Sequence, residues 1–166
     1  MTVERDSHCS WCGAEFPEGL GWPRQCVECG QMSYKNPLPV AVGLVPVGDQ
    51  GLLMVRRDID PGKGALALPG GFIEIGESWQ EACAREVFEE TQLQLDPDSI
   101  EDFCVLSAPD GTVLIFGLAE AVDPADVPEF EPTPEASERV VLAELTEELA
   151  FPLHTDAARL WFEEHS

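Results

Sequence analysis

The sequence predicts a domain of mixed strands and a few helices, of the α/β or α+β class, preceded by a small zinc ribbon. Three observations carry this. Two C-x₂-C pairs open the chain, β-rich apolar runs recur between Gly- and Pro-rich turns, and one helix is announced by a capping box and followed by a face of glutamates.

At 166 residues and 44% hydrophobic content, the chain can bury one ordinary core plus a small appendage. Residues Met1 to His8 are polar and charged with no apolar signal segment, and no later stretch reaches the length of a membrane helix, so a soluble, cytoplasmic protein is expected. The net charge is −23, and Lys35 and Lys63 are the only lysines. Such a surface argues against a general nucleic-acid binder, which needs clustered cations, and it suits solubility at high ionic strength. It also sets a chemical requirement: an acidic protein that handles a polyanion must bring cations to the site, as metal or as placed arginines.

Cys9-Ser-Trp-Cys12 and Cys26-Val-Glu-Cys29 are each followed directly by glycine, Gly13 and Gly30. Two such knuckles can supply four thiolates to a tetrahedral structural zinc site, with the glycines permitting the turns that aim N–H groups at sulfur. Two disulfides or a redox dithiol would use the same residues. The first fits poorly without a secretion signal, and the second normally occurs once, beside a βαβ unit. With four cysteine ligands the zinc would have no open position and would not be catalytic. Cys83 and Cys104 sit in apolar surroundings and are expected to be small core residues.

The ribbon is expected to span residues 1–36 and the main domain 37–166, joined at the stiff Tyr34-Lys-Asn-Pro-Leu-Pro39 segment. Val40–Val47 and Leu52–Arg57 flank the turn 48–51 and are expected to pair as a hairpin. A Gly- and Pro-rich stretch covers 61–71. Phe103–Ser107 and Thr112–Ala119 are predicted strands about the Pro109-Asp110-Gly111 turn. The segment 122–134, with Pro124, Pro128, Pro132 and Pro134 among acids, is expected to be an irregular, mobile loop. Arg139–Leu145 is a predicted strand, and Asp156–Glu164 a short helix with Leu160 and Trp161 inward.

Ser78-Trp-Gln-Glu81 is a capping box, so a helix should run from Ser78 as N-cap to about Thr91. Glu86, Glu89 and Glu90 then stand at i, i+3 and i+4, on one face. An acidic helix face is often merely solvated. Here it is preceded by Glu77 and by the Leu68-Pro-Gly-Gly71 turn with its backbone carbonyls, a setting in which hard divalent cations take oxygen ligands.

The pattern Gly71-x₅-Glu77-x₇-Arg85-Glu86-Val87-x-Glu89-Glu90-x-Gln92-Leu93 resembles the Nudix box, departing from it only where Gln92 replaces a glycine. A left-handed helix cap would suit that glycine, so a modified helix exit is expected rather than lost chemistry. The four-cysteine ribbon, Tyr34-x-Asn36-Pro37, Glu135-x-x-Glu138 and Glu147-Glu148-Leu149-Ala150-Phe151 are similar to the zinc-ribbon branch of that family, which includes NADH, FAD and ADP-ribose pyrophosphatases. The resemblance implies a Nudix α/β/α sandwich with a mixed sheet, and hydrolysis of a pyrophosphate bond in a nucleotide-like small molecule with Mg²⁺ or Mn²⁺. It further implies that Glu86 and Glu90 are the principal ligands, that Glu89 joins when further ions bind, and that the Gly70 carbonyl completes the set. Glu77 would stand just outside, with Arg85 holding the carboxylates in place. Candidates for the general base are Glu89, then Glu138 and Glu135.

The NADH-cleaving members carry an S-Q-P-W-P-F-like tract after the box, which the segment from Ser99 to Phe116 lacks, so the FAD or ADP-ribose type is the closer match. Two other classes compete. A non-catalytic sensor or scaffold of the same fold would be expected to lack some of the glutamates, and all are present. A zinc-ribbon nucleic-acid module would need a basic ribbon, but Glu4, Asp6, Glu15, Glu18 and Glu28 offset Arg5, Arg24 and Lys35. Action on NAD-capped RNA ends stays open, as does a homodimer.

Overall fold

The computed structural model describes residues 5–49 and 51–165. The chain divides into two compact units between Pro37 and Leu38. Among the described residues no helix is long and apolar enough to cross a membrane.

The first unit is held by two matching knuckles. Gly13 N–H donates to the Cys9 carbonyl and Gly30 N–H to that of Cys26, both at 2.9 Å, and these glycines take the left-handed conformation at φ 75° and 74°. A short antiparallel ladder pairs β1 (Arg24–Gln25) with β2 (Met32–Ser33). The buried cluster of this unit is small: Cys9, Phe16 and Cys26, with Ala14 against it.

The second unit carries β3 (Leu38–Leu44), β4 (Leu52–Arg57), β5 (Leu66–Ala67), β6 (Gly70–Phe72), α1 (Trp79–Thr91), β7 (Glu101–Ser107), β8 (Thr112–Leu118), β9 (Ala136–Leu142) and α2 (Pro152–Glu164). One sheet has the order β6-β3-β8-β7 and is mixed, with β3 and β8 parallel from Leu38↔Thr112 to Leu44↔Leu118. The other, β5-β4-β9, is antiparallel. Alternation along the strands gives the sheets two apolar faces. Ala41, Val45 and Leu53 go to the clusters that contain Ala82, Cys83 and Val87 of α1, while Val42, Leu44 and Met54 join Ala157, Ala158 and Trp161 of α2. The result is the α/β/α sandwich with a mixed sheet.

Three expectations are corrected. The chain does reverse at 48–51, but β3 and β4 make only an isolated Pro46↔Leu52 bridge and then enter different sheets. The pairing stops at the tip, with Val47 N–H on the Gly51 carbonyl and Leu53 N–H on that of Val45, both at 2.9 Å; beyond it β3 pairs with β6 and β8, and β4 with β5 and β9. The last strand runs Ala136–Leu142 rather than 139–145. Finally, α2 starts at Pro152, whose missing N–H costs nothing at the first helical position. That earlier start sets the inward face as His154, Ala157, Ala158 and Trp161, and leaves Leu160 41% exposed. His154 is held neutral: burial, and secondarily the Arg57 charge, lower its pKa to about 3.

The exit of α1 also differs from expectation. Gln92 itself takes the left-handed cap, at φ 60° and ψ 7°, with its N–H bonded to Phe88 O at 2.8 Å. That conformation costs a residue with a side chain about 1 kcal/mol. The Gln92 Oε1 accepts the Glu131 N–H at 3.2 Å, a bond worth about the same amount, so the exit is kept rather than modified. Cys83 is buried, with its thiol pushed up to about 12 by that burial, and Cys104 is half-buried; both sit in the apolar packing.

Candidate active site

The register of α1 is fixed at its first turn. Ser78 Oγ accepts the Glu81 N–H at 3.2 Å and Glu81 Oε2 accepts the Ser78 N–H at 2.6 Å, the reciprocal capping box. Two turns on, the helix meets the Gly70–Gly71 backbone of β6, which is held against β3 by the Val42↔Gly70 and Ala41↔Gly71 pairs. The Gly70 N–H donates to Glu90 Oε2 at 3.1 Å. The Glu86 carboxylate lies so close to Gly71 that a Cβ there would fall 2.4 Å from Glu86 Oε1.

Arg85 ties the carboxylates together. Its Nε and Nη2 donate to Glu77 at 3.1 and 2.7 Å, Nη1 donates to Glu86 at 2.7 Å, and Nη2 also reaches the Phe72 carbonyl at 3.0 Å. Glu89 is a looser partner at 3.5 Å and its side chain is 57% exposed. The hydrogen bonds from Arg85 lower the Glu77 pKa, and the same bonds, first of all to Glu77, raise that of Arg85.

Electrostatics separates the two innermost acids. Glu90 is only 4% exposed, and its pKa rises to about 7, chiefly by burial. The Gly70 N–H opposes that rise, the charges of Glu86 and Glu135 add to it, and the Arg57 charge opposes it. Glu86 is also raised by burial, with Arg85 opposing and Glu89 and Glu135 adding. A buried carboxylate that holds its proton near neutrality lacks a compensating cation. Glu86 and Glu90 offer hard oxygen donors of the kind a divalent ion takes, although among the described residues only the four cysteines bring three or more ligand atoms within 4.8 Å of one another. Each carboxylate keeps a second oxygen, Glu86 Oε2 and Glu90 Oε1, beside the one that accepts from Arg85 or from the Gly70 N–H. Gly71→Ala tests the crowding at Gly71: its methyl must displace Glu86, and turnover should fall about 10- to 100-fold. A Gly71→Ala variant with wild-type rates would show that Glu86 is not needed where it lies.

Two residues reach this site that the helix pattern does not contain. Glu135, at the start of β9, bears on both Glu86 and Glu90. Glu138 is instead held by Arg56 Nε at 2.7 Å, its partner across the β4/β9 ladder. Arg57, which the sequence reading passed over, is buried at the end of β4. Its Nε donates to the Pro61 carbonyl at 2.8 Å and its guanidinium lies 4.9 Å from the Phe151 ring centroid. One signal was available: in a chain with nine basic residues, Arg56 and Arg57 adjoin at the end of an apolar strand.

The four knuckle cysteines form a second donor set. Their sulfurs all lie within 4.8 Å of one another, with Cys9 and Cys29 at 3.7 Å and Cys12 and Cys26 at 3.6 Å. Those gaps are too long for disulfides. They match the roughly 3.8 Å edge of a tetrahedron with Zn–S bonds of about 2.3 Å. The Trp11 N–H points at Cys9 Sγ from 3.4 Å, as a bound thiolate requires.

Comparison with known proteins follows the same division. The NUDIX domain family matches residues 37–164. Among curated relatives, the NAD-capped RNA hydrolase NudC of Edwardsiella ictaluri is 32% identical over 88 residues, which cover 52% of this chain and 34% of that protein. The ADP-ribose pyrophosphatase of Methanocaldococcus jannaschii is 43% identical over 60 residues, 36% of this chain and 35% of that protein. The match thus spans about a third of the length of each relative. The crystal structure of a NUDIX hydrolase from Nitrosomonas europaea superposes with a TM-score of 0.77 at 29% identity, covering 95% of this chain and 91% of that one.

Proposed function

This chain belongs to the Nudix family, and from that premise we propose that it is a metal-dependent hydrolase of the pyrophosphate bond in a nucleoside diphosphate linked to a second moiety, of the ADP-ribose, FAD or NADH type. The observation that carries this reading is the pair of carboxylates gathered against Gly70 and Gly71: Glu86, half-buried and held by Arg85, and Glu90, buried with the Gly70 N–H as its partner.

In this reading Glu86 and Glu90 are the principal ligands of Mg²⁺ or Mn²⁺, with Glu89 joining for further ions and the Gly70 carbonyl completing the set. A divalent ion bound there supplies Lewis-acid polarisation of phosphoryl oxygens and acidifies water. Arg85 is a positioning residue: bonded to Glu77 and Glu86 at once, it fixes the carboxylate rotamers. Arg57 is the cation on the facing side, and it gives a substrate phosphate a counter-charge on a protein of net charge −23. For the proton of the attacking water, Glu89 is exposed and adjacent, and Glu135 reaches the same carboxylates. Glu138, engaged by Arg56, is the weaker candidate. The four cysteines hold a structural zinc that stays out of the chemistry.

A second reading has the same bond at the 5′ end of NAD-capped RNA, and the NudC match favours it. Both are tested by one panel: ADP-ribose, FAD, NADH, dinucleoside polyphosphates, deoxynucleoside triphosphates and an NAD-capped oligonucleotide, each with Mg²⁺ or Mn²⁺. Release of AMP from ADP-ribose or FAD is expected, with the capped oligonucleotide a weak competitor. A rate no higher than that of the Glu90→Gln variant on every substrate would refute the hydrolase reading.

A further inference from the structure

Among the described residues of the first unit, Ser33 on β2 is the one buried side chain with a polar oxygen or nitrogen, at 3% exposure. A buried hydroxyl costs free energy unless its proton and its lone pairs find partners. At Ser33 they do. Its Oγ accepts the Ser10 N–H at 3.3 Å, lies 3.0 Å from Ser10 Oγ, and donates toward Cys9 Sγ from 3.9 Å. Ser33 has a single proton to give, so the direction of the Ser10–Ser33 bond depends on where that proton goes. With Cys9 as a thiolate the anion is the stronger acceptor, which sends the Ser33 proton to sulfur and makes the Ser10 hydroxyl the donor to Ser33. Two donors on its oxygen then strengthen the bond that Ser33 gives, as in any chain of hydrogen bonds.

This relay breaks an otherwise repeated arrangement. In the first knuckle the Cys9 N–H donates to the Ala14 carbonyl at 2.8 Å, and in the second the Cys26 N–H donates to that of Gln31 at 2.9 Å. Where the first has Ser10, the second has Val27, which is exposed and carries no hydroxyl. Ser33 stands opposite Arg24 in the β1/β2 ladder, and β1 leads directly into Cys26. The hydroxyl pair therefore joins Cys9 and Ser10 to the ladder that flanks the second knuckle. Four thiolates carry more negative charge than one Zn²⁺ neutralises, and donors aimed at sulfur spread the excess. Cys9 receives two of them, the Trp11 N–H and the Ser33 hydroxyl.

We propose that Ser33, polarised by Ser10, is a positioning residue of the zinc site, whose hydroxyl donates to the Cys9 thiolate and holds that sulfur in the ligand set. The proposal rests on reading the four cysteines as a zinc site. The competing role is packing, in which Ser33 fills a small buried space and only accepts from Ser10.

Ser33→Ala in the full chain separates the two, with Ser33→Thr as the variant that keeps the hydroxyl. Zinc affinity, read by competition with a chelator of known strength, should fall about tenfold in Ser33→Ala, as loss of an outer partner of a metal ligand implies. Affinity alone does not discriminate, because metal binding and folding of so small a unit are one equilibrium. The cobalt-loaded protein does. A hydrogen bond draws electron density from sulfur, so its loss in Ser33→Ala should move the sulfur-to-cobalt charge-transfer band to lower energy, while Ser33→Thr holds the wild-type position. Ser10→Ala, at an exposed residue, should move the band the same way by less. An unmoved band in Ser33→Ala, or an equal shift in Ser33→Thr, would overturn the proposal. If Ser33→Ala folds too poorly to take up cobalt, Ser10→Ala decides, and an unmoved band there overturns the proposal as well. A wild type that binds neither zinc nor cobalt overturns the reading of the cysteines, and this proposal falls with it; a wild type that binds both confines any failure to Ser33.

Discussion

Glu90→Gln should lower turnover roughly 10³-fold, since a lost metal carboxylate removes several kcal/mol of transition-state stabilisation, while leaving the fold intact or firmer. The second half of that expectation is the unusual one, and it follows from burial. Glu90 is 4% exposed and its pKa is raised to about 7 in the folded chain, against 4.5 as its ordinary value. A carboxyl whose folded pKa is raised contributes stability that is fully present below about 4.5 and is lost as pH climbs through about 7. At pH 8 the metal-free wild type therefore bears a charge burial of up to about 3 kcal/mol. Glutamine has the same shape, its amide oxygen can still accept the Gly70 N–H, and it has no charge to bury. Without metal, the thermal midpoint of the variant should overtake that of the wild type between pH 5 and 8, the gap opening around neutrality. Saturating Mg²⁺ should close it by stabilising the wild type alone. A variant with near-normal rates would remove Glu90 from the metal set. A midpoint gap independent of pH would mean that Glu90 is already ionised and compensated in the folded chain.

What the sequence could disclose divides according to the range of the interaction. Ser78 and Glu81, the glutamate face of α1 and the four cysteines are specified by spacings within a few residues, and each is found as expected. The misread parts depend on partners far along the chain. That β3 and β4 part company is decided by β6, β8, β5 and β9 claiming their edges, which no local pattern of Val40–Arg57 contains. The local spacing of Asp156–Glu164 alone turns Leu160 inward. A start at Pro152, anchored by Leu149 N–H on Thr155 Oγ1 at 2.9 Å, sets a different face. Arg57 becomes part of the site only when Phe151 and Pro61 close around it. Glu135 and Glu138 are equivalent as letters. The β4/β9 register alone hands Glu138 to Arg56 and leaves Glu135 to bear on Glu86 and Glu90.

Removing a knuckle thiol should have the other large effect, because the first unit has almost nothing else to hold it. Its buried apolar cluster is Cys9, Phe16 and Cys26 with Ala14 against it. At about 1.5–3 kcal/mol for each large buried side chain, that falls far short of the 1–2 kcal/mol, roughly, that ordering each residue's backbone costs. The backbone bonds of the two knuckles add about 1 kcal/mol apiece. A bound zinc, worth about 10–16 kcal/mol in small structural sites, is larger than any other single contribution to this unit. Cys26→Ala, or a strong chelator acting on the wild type, should therefore release the metal and unfold the ribbon. In hydrogen exchange the Gly13 and Gly30 N–H groups, each bonded at 2.9 Å in the native knuckles, should lose their protection. The N–H groups of β3, β4 and α1, which have their own apolar clusters, should keep theirs. Cys83→Ala serves as the control: that thiol is packed against Ala82 and Ala41, so zinc content should stay at one per chain. If Cys26→Ala retained a full equivalent of zinc and protected knuckle amides, the four sulfurs would have to be held by packing alone, and the energies above leave too little of that.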